Sequence, residues 1–402
     1  MPVPYTSVEH VRVLPSRSKD ERVIDVIERV MHALEEAKRV GRPYALANLS
    51  LGPKVPMADD DVHEWTVRLD QWLAQNNTLM FIAAGNDGDL DQDLGRVQPP
   101  ADAINAMSIG ASDSCARKWD RAPYSSWGPG RSPGFVKPDG VAFGGGPSEP
   151  LRLYHPVAGT VVRSGTSYAS PIAMRGGAGV LARLDKGLSS AALQALLIAA
   201  TQFDGRRHDR IGVGWGRFQQ DPEDVLYSPE DEARIIYQGV IEPGQPLRAR
   251  IPVPLGLPDC AVELSATFCY RAPTDPAHPV NYTRAGLIVR FRPDGVRAQS
   301  FFAKTIYDTE TELRRDALRW DTCMHRTRKF TSSSTLIAPC FDINYQTREE
   351  GHSMPREHQP KLPFALVVRI RAEGVTDIVS RIRNQFKSLA PVRLRSVTRT
   401  RS

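Results

Sequence analysis

The chemistry in this 402-residue chain is concentrated in the stretch Ser164-Gly165-Thr166-Ser167-Tyr168-Ala169-Ser170-Pro171. A serine placed where a glycine-containing turn enters a helix keeps its hydroxyl accessible, with unpaired backbone amides and the positive end of the helix dipole beside it. Negative charge developing on a carbonyl oxygen at such a point meets donors already in place, so Ser167 is a candidate nucleophile. The small residues Ala169, Ala173, Gly176, Gly177 and Gly179 suit a helix packed tightly at a domain centre. For this segment alone, a capped core helix without chemistry is the competing reading. A second stretch, Phe81-Ile82-Ala83-Ala84-Gly85-Asn86-Asp87-Gly88, ends an apolar run at Asn86. Taken singly, Asn86 is better explained as a residue that turns the chain after a strand.

These groups must be held by the elements around them. Val11 to Pro15 reads as a short strand, and Ser18-Lys19-Asp20-Glu21 has the spacing of a capping box. Val23, Ile27, Val30, Met31 and Leu34 then recur at helical spacing until Gly41 and Pro43. Tyr44 to Leu51 is an apolar run of strand length. A second helix carries Val62, Trp65, Leu69, Trp72 and Leu73, with Asp59, Asp60 and Asp61 at its favourable end. Thr78 to Ala84 is another strand. Apolar strands alternating with amphipathic helices predict an α/β, doubly wound parallel sheet with helices on both faces, whose functional residues gather at the strand ends. The acidic run Asp87 to Asp93 is expected to be a solvated loop rather than a calcium site, because Gln92 and Gln98 stand where an EF-hand needs glycine and glutamate.

Taken together, four segments in order resemble the subtilisin-like serine proteases (subtilases, peptidase family S8): Asn48-Leu49-Ser50-Leu51-Gly52-Pro53, the stretch around Asn86, Tyr124-Ser125-Ser126-Trp127-Gly128-Pro129, and Gly165 to Pro171. The resemblance extends over about residues 11 to 220 and implies a subtilisin-like fold and hydrolysis of peptide bonds in a peptide or protein substrate. It assigns Ser167 as nucleophile and Asn86 as oxyanion donor together with the Ser167 amide. It also implies that substrate lies along Ser50, Leu51 and Gly52, with Ser126, Gly128 and Gly165 lining the cleft. It implies no cofactor and no metal.

The family also uses an aspartate in an Asp-Ser/Thr-Gly motif and a histidine in His-Gly-Thr-His, and neither motif occurs here. An unassisted serine hydroxyl is protonated at neutral pH and needs a base within hydrogen-bond reach. The catalytic domain is therefore expected to be N-terminally incomplete, beginning just after the base. Three arrangements stay open: a sequence starting at an internal methionine, a separate chain supplying the aspartate and histidine, or a catalytically inactive peptide-binding or regulatory subunit. The first is favoured. Of the nine histidines, His155 lies nearest the serine turn in sequence but has no evident carboxylate to orient it.

The expected domains are 1–220, the subtilisin-like catalytic portion; 221–233, an acidic linker; 234–390, a mostly β, sandwich-like domain; and 391–402, a basic tail. Leu247 to Val253, Ala261 to Tyr270, Ala285 to Arg292 and Phe364 to Arg371 read as its strands, and Thr376 to Phe386 as a helix. Net charge is +6, while Arg369 to Ser402 holds nine basic and two acidic residues, so that end accounts for the excess. A solvated end is expected in preference to nucleic-acid binding. Five cysteines without metal-ligand spacing, no leader-like N-terminus and no long apolar run point to a cytoplasmic, bacterial protein with reduced thiols and no membrane contact. The layout is also similar to bacterial intracellular subtilases that accompany an ATPase in phage defence, which makes an ATPase a candidate partner.

Overall fold

The computed structural model describes residues 4–15, 22–91, 93–184, 187–302, 320–348, 355, 359–392 and 394. They form two compact units: those within 1–131, 136–182 and 201–221 make the first, and those within 132–135, 183–200 and 222–402 the second. The expected capping box at Ser18 to Glu21 lies outside the described residues, as does nearly all of the basic tail.

In the first unit, helix α1 (Val23–Arg39) buries Val26, Ile27, Val30, Leu34 and Ala37, the stripe its spacing predicts. Strand β1 (Leu46–Leu49), helix α2 (Glu64–Gln75) and strands β2 (Leu79–Ala83), β3 (Met107–Ser112) and β4 (Gly140–Phe143) follow. The four strands lie in the order β1-β2-β3-β4, all parallel, with Leu46 opposite Leu79, Phe81 opposite Met107 and Ile109 opposite Gly140. Met80 and Ile82 of β2 pack with Leu49 and with Ile27, Leu34, Trp65, Leu69 and Leu73 of the two helices. The alternate residues Leu79 and Phe81 are also 0% exposed, so the sheet is covered on both faces, as its continuous apolar strands require. Each such large side chain contributes about 1.5–3 kcal/mol by leaving water.

Two local expectations are corrected. Val11 to Pro15 is not a strand: it is largely exposed, and no described strand pairs with it. An apolar run becomes a strand only when a neighbour satisfies its backbone, and here Val13 merely packs on the α1/α2 cluster while its carbonyl accepts from Arg29. Helix α2 starts at Glu64, capped by His63 Nδ1 accepting from Trp65 N, so Asp59 to Asp61 lie before its first turn. Asp59 instead pairs with Arg96 at 2.8 Å.

The remaining elements of the unit lead to and from the serine. A hairpin of β5 (Leu151–His155) and β6 (Gly159–Arg163) precedes helix α3 (Thr166–Arg183), which buries Ala169, Ala173 and Gly176 to Gly179. A Cβ on Gly176 would stand 2.9 Å from the Gln219 carbonyl, so the helix needs a glycine there to pass the returning chain. The short helix α5 (Arg210–Val213) ends at Gly214, with φ of 58°.

The second unit is built of antiparallel strands. Helix α4 (Ser190–Ala199) has every residue buried, as a helix apolar on nearly every side must, and its polar Gln194 is paired inside. Helix α6 (Pro222–Leu226) and strand β7 (Glu232–Ile241) occupy much of the acidic segment where a linker was expected. Strands β8 (Leu247–Arg250), β9 (Val262–Tyr270), β10 (Ala285–Arg292), β11 (Cys323–Phe330), β12 (Cys340–Thr347) and β13 (Leu362–Ala372) complete two sheets, ordered β10-β12-β8 and β11-β9-β13-β7. Phe291 of β10 sits 5.8 Å from Phe330 of β11 and 5.4 Å from Phe341 of β12, so rings from both sheets share one core. Helix α7 (Ile378–Gln385) is the last described helix, and Arg271, 2% exposed, donates to Gln194 of α4 at 2.7 Å.

Asp70 of α2 is 0% exposed; its two oxygens accept from Asn105 N at 2.8 Å and Ile104 N at 3.1 Å. Burial nevertheless outweighs those bonds and pushes its carboxyl up from 3.8 to about 6. Between about pH 4 and 6 the folded chain thus holds a proton that the unfolded chain has released, and Asp70 makes stability fall as pH rises through that window. Asp70→Asn removes the dependence. The unfolding free energies of wild type and variant, measured from pH 3.5 to 7, are expected to diverge by on the order of 3 kcal/mol, and a constant difference would refute the assignment.

Candidate active site

Ser167 is the second residue of α3, half-buried, at the point where the chain leaves the Gly165 turn. Gly165 has φ of 149°, which side chains rarely tolerate, yet an added Cβ would meet nothing closer than Asn86 Oδ1 at 3.6 Å. The backbone angle, not crowding, is what requires glycine at this position.

The turn is fastened to the end of β2. Thr166 N donates to Asn86 Oδ1 at 2.8 Å, and the Thr166 hydroxyl lies 3.1 Å from the same oxygen and 3.2 Å from Gly85 O. Gly85 N in turn donates to Thr166 Oγ1 at 3.3 Å. Because Thr166 N can only donate, the Asn86 atom facing it must be the carbonyl oxygen. The amide nitrogen of this exposed side chain is left with no partner among the described residues, and neither has the Ser167 hydroxyl. Asn86 and Ser167, predicted separately from two motifs, are thus brought together by one shared neighbour.

Strand β1 is fastened to the same helix. Ser170 Oγ donates to Asn48 Oδ1 at 2.7 Å, Asn48 Nδ2 donates to Ser50 Oγ at 3.1 Å, and Ser50 Oγ donates to Ser167 O at 3.1 Å. The Ser50 side chain is therefore occupied with the helix. The backbone groups of Leu51 and Gly52 have no hydrogen-bond partner among the described residues, as strand addition by a peptide would need. A Cβ on Gly52 would stand 2.2 Å from Pro99 O, so close approach to that carbonyl fixes the residue type.

Ser126 and Gly128 are buried. Ser126 N donates to Gly85 O at 3.1 Å and its hydroxyl accepts from Asp87 N, which makes it a brace for the Asn86 loop. Gly128 packs where a Cβ would lie 2.2 Å from Lys137 O. Asp87 is tied to Gln98 Nε2 at 2.5 Å, so the acidic run begins with a structural bond.

Sequence reasoning gave no role to Tyr124. Its hydroxyl accepts from Gly165 N at 3.1 Å and lies 2.9 and 2.8 Å from the carbonyls of Gly144 and Gly145, where β4 ends. Burial pushes the phenol up to about 12, so it remains a neutral donor and acceptor. The signal available was its place before Ser125-Ser126, in a segment already singled out. His208 was also passed over: it stacks on Trp119 at 4.0 Å, with Nε2 at 3.0 Å from Trp119 O and 3.6 Å from Asp120. His155 accepts two amides of the β5–β6 turn, from Val157 and Ala158, and His63 caps α2. No described histidine hydrogen-bonds Ser167.

Tyr124→Phe keeps the ring and removes the hydroxyl, leaving the Gly145 carbonyl short of a partner, and Gly165 N and Gly144 O with only their own 3.0 Å bond to each other. It is expected to cost about 1–3 kcal/mol, measured by denaturant unfolding, with the loss concentrated in faster amide exchange at Gly165 and Thr166. An unchanged exchange rate there would show that the turn holds without the phenol.

Among the described residues no helix is long and apolar enough to cross a membrane. The prenylagaramide maturation protease PagA is 21% identical in sequence with a TM-score of 0.41, covering 53% of this chain and 71% of that one. A lanthipeptide protease is 19% identical with a TM-score of 0.41, covering 54% and 68%. The membrane-bound transcription factor site-1 proteases of Mus musculus and Homo sapiens are 36% and 35% identical over 103 residues, 25% of this chain. The match spans only 9% of the length of those relatives. The subtilase family profile matches residues 7–216, just over half of the sequence. The chain belongs to the subtilase family of peptidases.

Proposed function

We propose that the chain is the serine-bearing part of a subtilisin-type serine endopeptidase that cleaves peptide bonds through an acyl-enzyme. Ser167 is the nucleophile. Asn86 Nδ2 and the Ser167 amide receive the oxygen that becomes negative when the hydroxyl attacks the substrate carbonyl. A histidine must take the Ser167 proton and pass it to the leaving amine, and an aspartate must orient that histidine. On this reading both come from outside this sequence, since no described histidine hydrogen-bonds Ser167 and His63, His155 and His208 are engaged as a cap, a turn acceptor and a ring stack. Substrate runs extended along Ser50-Leu51-Gly52, pairing through the backbone. Gly165 shapes the turn, and Ser126 and Gly128 support the cleft from beneath.

The observation that carries this reading is the Asn86 side chain, whose oxygen is held by Thr166 N at 2.8 Å while its amide nitrogen is left free at the protein surface beside the serine turn. A side chain serving only to turn the chain gains nothing from an unspent donor there. The lack of any base beside the Ser167 hydroxyl among the described residues favours one other reading, a catalytically inactive peptide-binding subunit.

Labelling with a fluorophosphonate probe separates the two. The 402-residue chain alone is expected to remain unlabelled. Supplying a subtilase Asp- and His-bearing segment, fused ahead of Met1 or as a second chain, is expected to bring labelling at Ser167 that Ser167→Ala abolishes. In the active form, Asn86→Ala is expected to lower turnover by about a hundred- to a thousandfold, with a smaller change in KM. A folded, reconstituted chain that stays unlabelled would leave the inactive subunit, and labelling of the chain alone would reveal an internal base.

A further inference from the structure

Cys269 of β9 and Cys323 of β11 are opposite each other in an antiparallel register. Tyr270 N donates to Thr322 O at 2.9 Å, which makes residues 270 and 322 a hydrogen-bonded pair. Pairs alternate along an antiparallel ladder, so Cys269 and Cys323 form the non-hydrogen-bonded pair, in which backbones approach to about 4.5 Å between Cα atoms. That separation lies within the range of about 4.4–6.8 Å that a disulfide spans without moving the backbone. The side chains agree: the Cys269 thiol donates to Cys323 Sγ at 3.5 Å. Both residues are buried, Cys269 at 0% and Cys323 at 8% exposure.

None of the other three cysteines has a thiol neighbour of this kind among the described residues. Cys115 is exposed in the first unit with its thiol on Glu149 Oε1, Cys260 is half-buried ahead of β9, and Cys340 begins β12 in the other sheet. Among the described residues strand β11 is also at the edge of its sheet, paired with β9. An edge strand separates from its neighbour at lower cost than a central one, which gives an oxidant a route to Cys323.

We propose that Cys269 and Cys323 are a redox-active pair that closes to a cross-strand disulfide, with a small-molecule disulfide such as oxidised glutathione as oxidant. One cysteine, as its thiolate, attacks the glutathione disulfide and releases one glutathione thiolate. The second cysteine thiolate then displaces the other, forming the Sγ–Sγ bond. The two cysteine protons pass through water to the two departing thiolates. The protein loses two hydrogens, and one oxidised glutathione becomes two reduced ones. The bond ties the edge strand β11 to β9 and closes the chain between residues 269 and 323 into a loop, so the second unit loses freedom in its unfolded state.

The full chain, equilibrated with oxidised and reduced glutathione, quenched in acid and alkylated, tests this by mass spectrometry. The expected product is lighter by two hydrogens, yields one linked peptide joining Cys269 to Cys323, and keeps Cys115, Cys260 and Cys340 alkylatable. Its melting temperature is expected to rise by on the order of 5 °C over the reduced chain. Cys323→Ser and Cys323→Ala, compared with and without oxidant, are expected to show neither the linkage nor the rise. Alkylation of all five cysteines after equilibration would overturn the proposal. So would a linkage to any other cysteine, a glutathione adduct that never resolves, or the same thermal shift in the Cys323 variants.

Discussion

The hydrogen bond from Thr166 N to Asn86 Oδ1 joins two parts of the chain that are 80 residues apart in sequence. It makes one site of two motifs. The first turn of a helix has amides with no intrahelical partner, and Thr166 is where that vacancy meets a side-chain acceptor from the end of β2. Spending Asn86 Oδ1 on the helix fixes the amide plane, and with it the direction of the remaining N–H donors. An oxyanion donor is effective when its position is settled before charge develops, because nothing then has to reorganise during the reaction. In the proposed enzyme, the bond that stabilises the turn and the bond that prepares catalysis are therefore the same bond.

Around that contact the structure uses close approach rather than bulk. Gly85 has φ of 112° and a Cβ there would meet Gln98 at 2.7 Å; Gly144 would meet Ala111 Cβ at 2.6 Å and Tyr124 Oη at 2.8 Å. These glycines lie on the segments that Thr166, Tyr124 and Ser126 tie together. Their lack of a side chain lets three strand ends and a helix start converge, while the hydrogen bonds supply the stiffness that glycine removes. Tyr124 links the β4 end to Gly165, Ser126 links its own loop to Gly85, and Ser50 links β1 to Ser167 O. The serine turn is thus held by several strand ends of the sheet, which is where a doubly wound fold gathers its functional groups.

Much of this was legible in the sequence because the relevant signals are local. The apolar stripe of α1, the continuous apolar run of β2 and the small-residue face of α3 each state their environment directly. The alternating runs that became β9, β10 and β13 also fall close to their observed bounds. What was not legible depends on partners. Val11 to Pro15 has strand composition but no described neighbour to pair with, and β11 carries His325, Arg326, Arg328 and Lys329, whose charges mask an edge strand held by its register with β9. Tyr124 could be read as part of a motif, but its role needed the positions of Gly144, Gly145 and Gly165, which only folding brings within reach of one hydroxyl. The same holds for Gly165: the sequence suggests room for a substrate, whereas the structure gives a backbone angle as the reason for glycine.

The proposed function also constrains where the base must arrive. A histidine that activates Ser167 has to come within hydrogen-bond reach of its hydroxyl, and the segment carrying it needs a surface that can fix it to within a fraction of an ångström. Strand β1 offers such a surface. Among the described residues it is paired on one side only, by β2, so its outer backbone groups are a template for a further strand. It is tied to α3 twice, through Asn48 to Ser170 and through Ser50 to Ser167 O, so a strand added there is positioned relative to the serine by two side-chain bonds rather than by a flexible loop. The other sheet edge, β4, leads through Gly144 and Gly145 into the turn braced by Tyr124. On the proposed reading, the open edge of β1 is accordingly where an aspartate- and histidine-bearing segment would complete the site with the fewest intervening degrees of freedom.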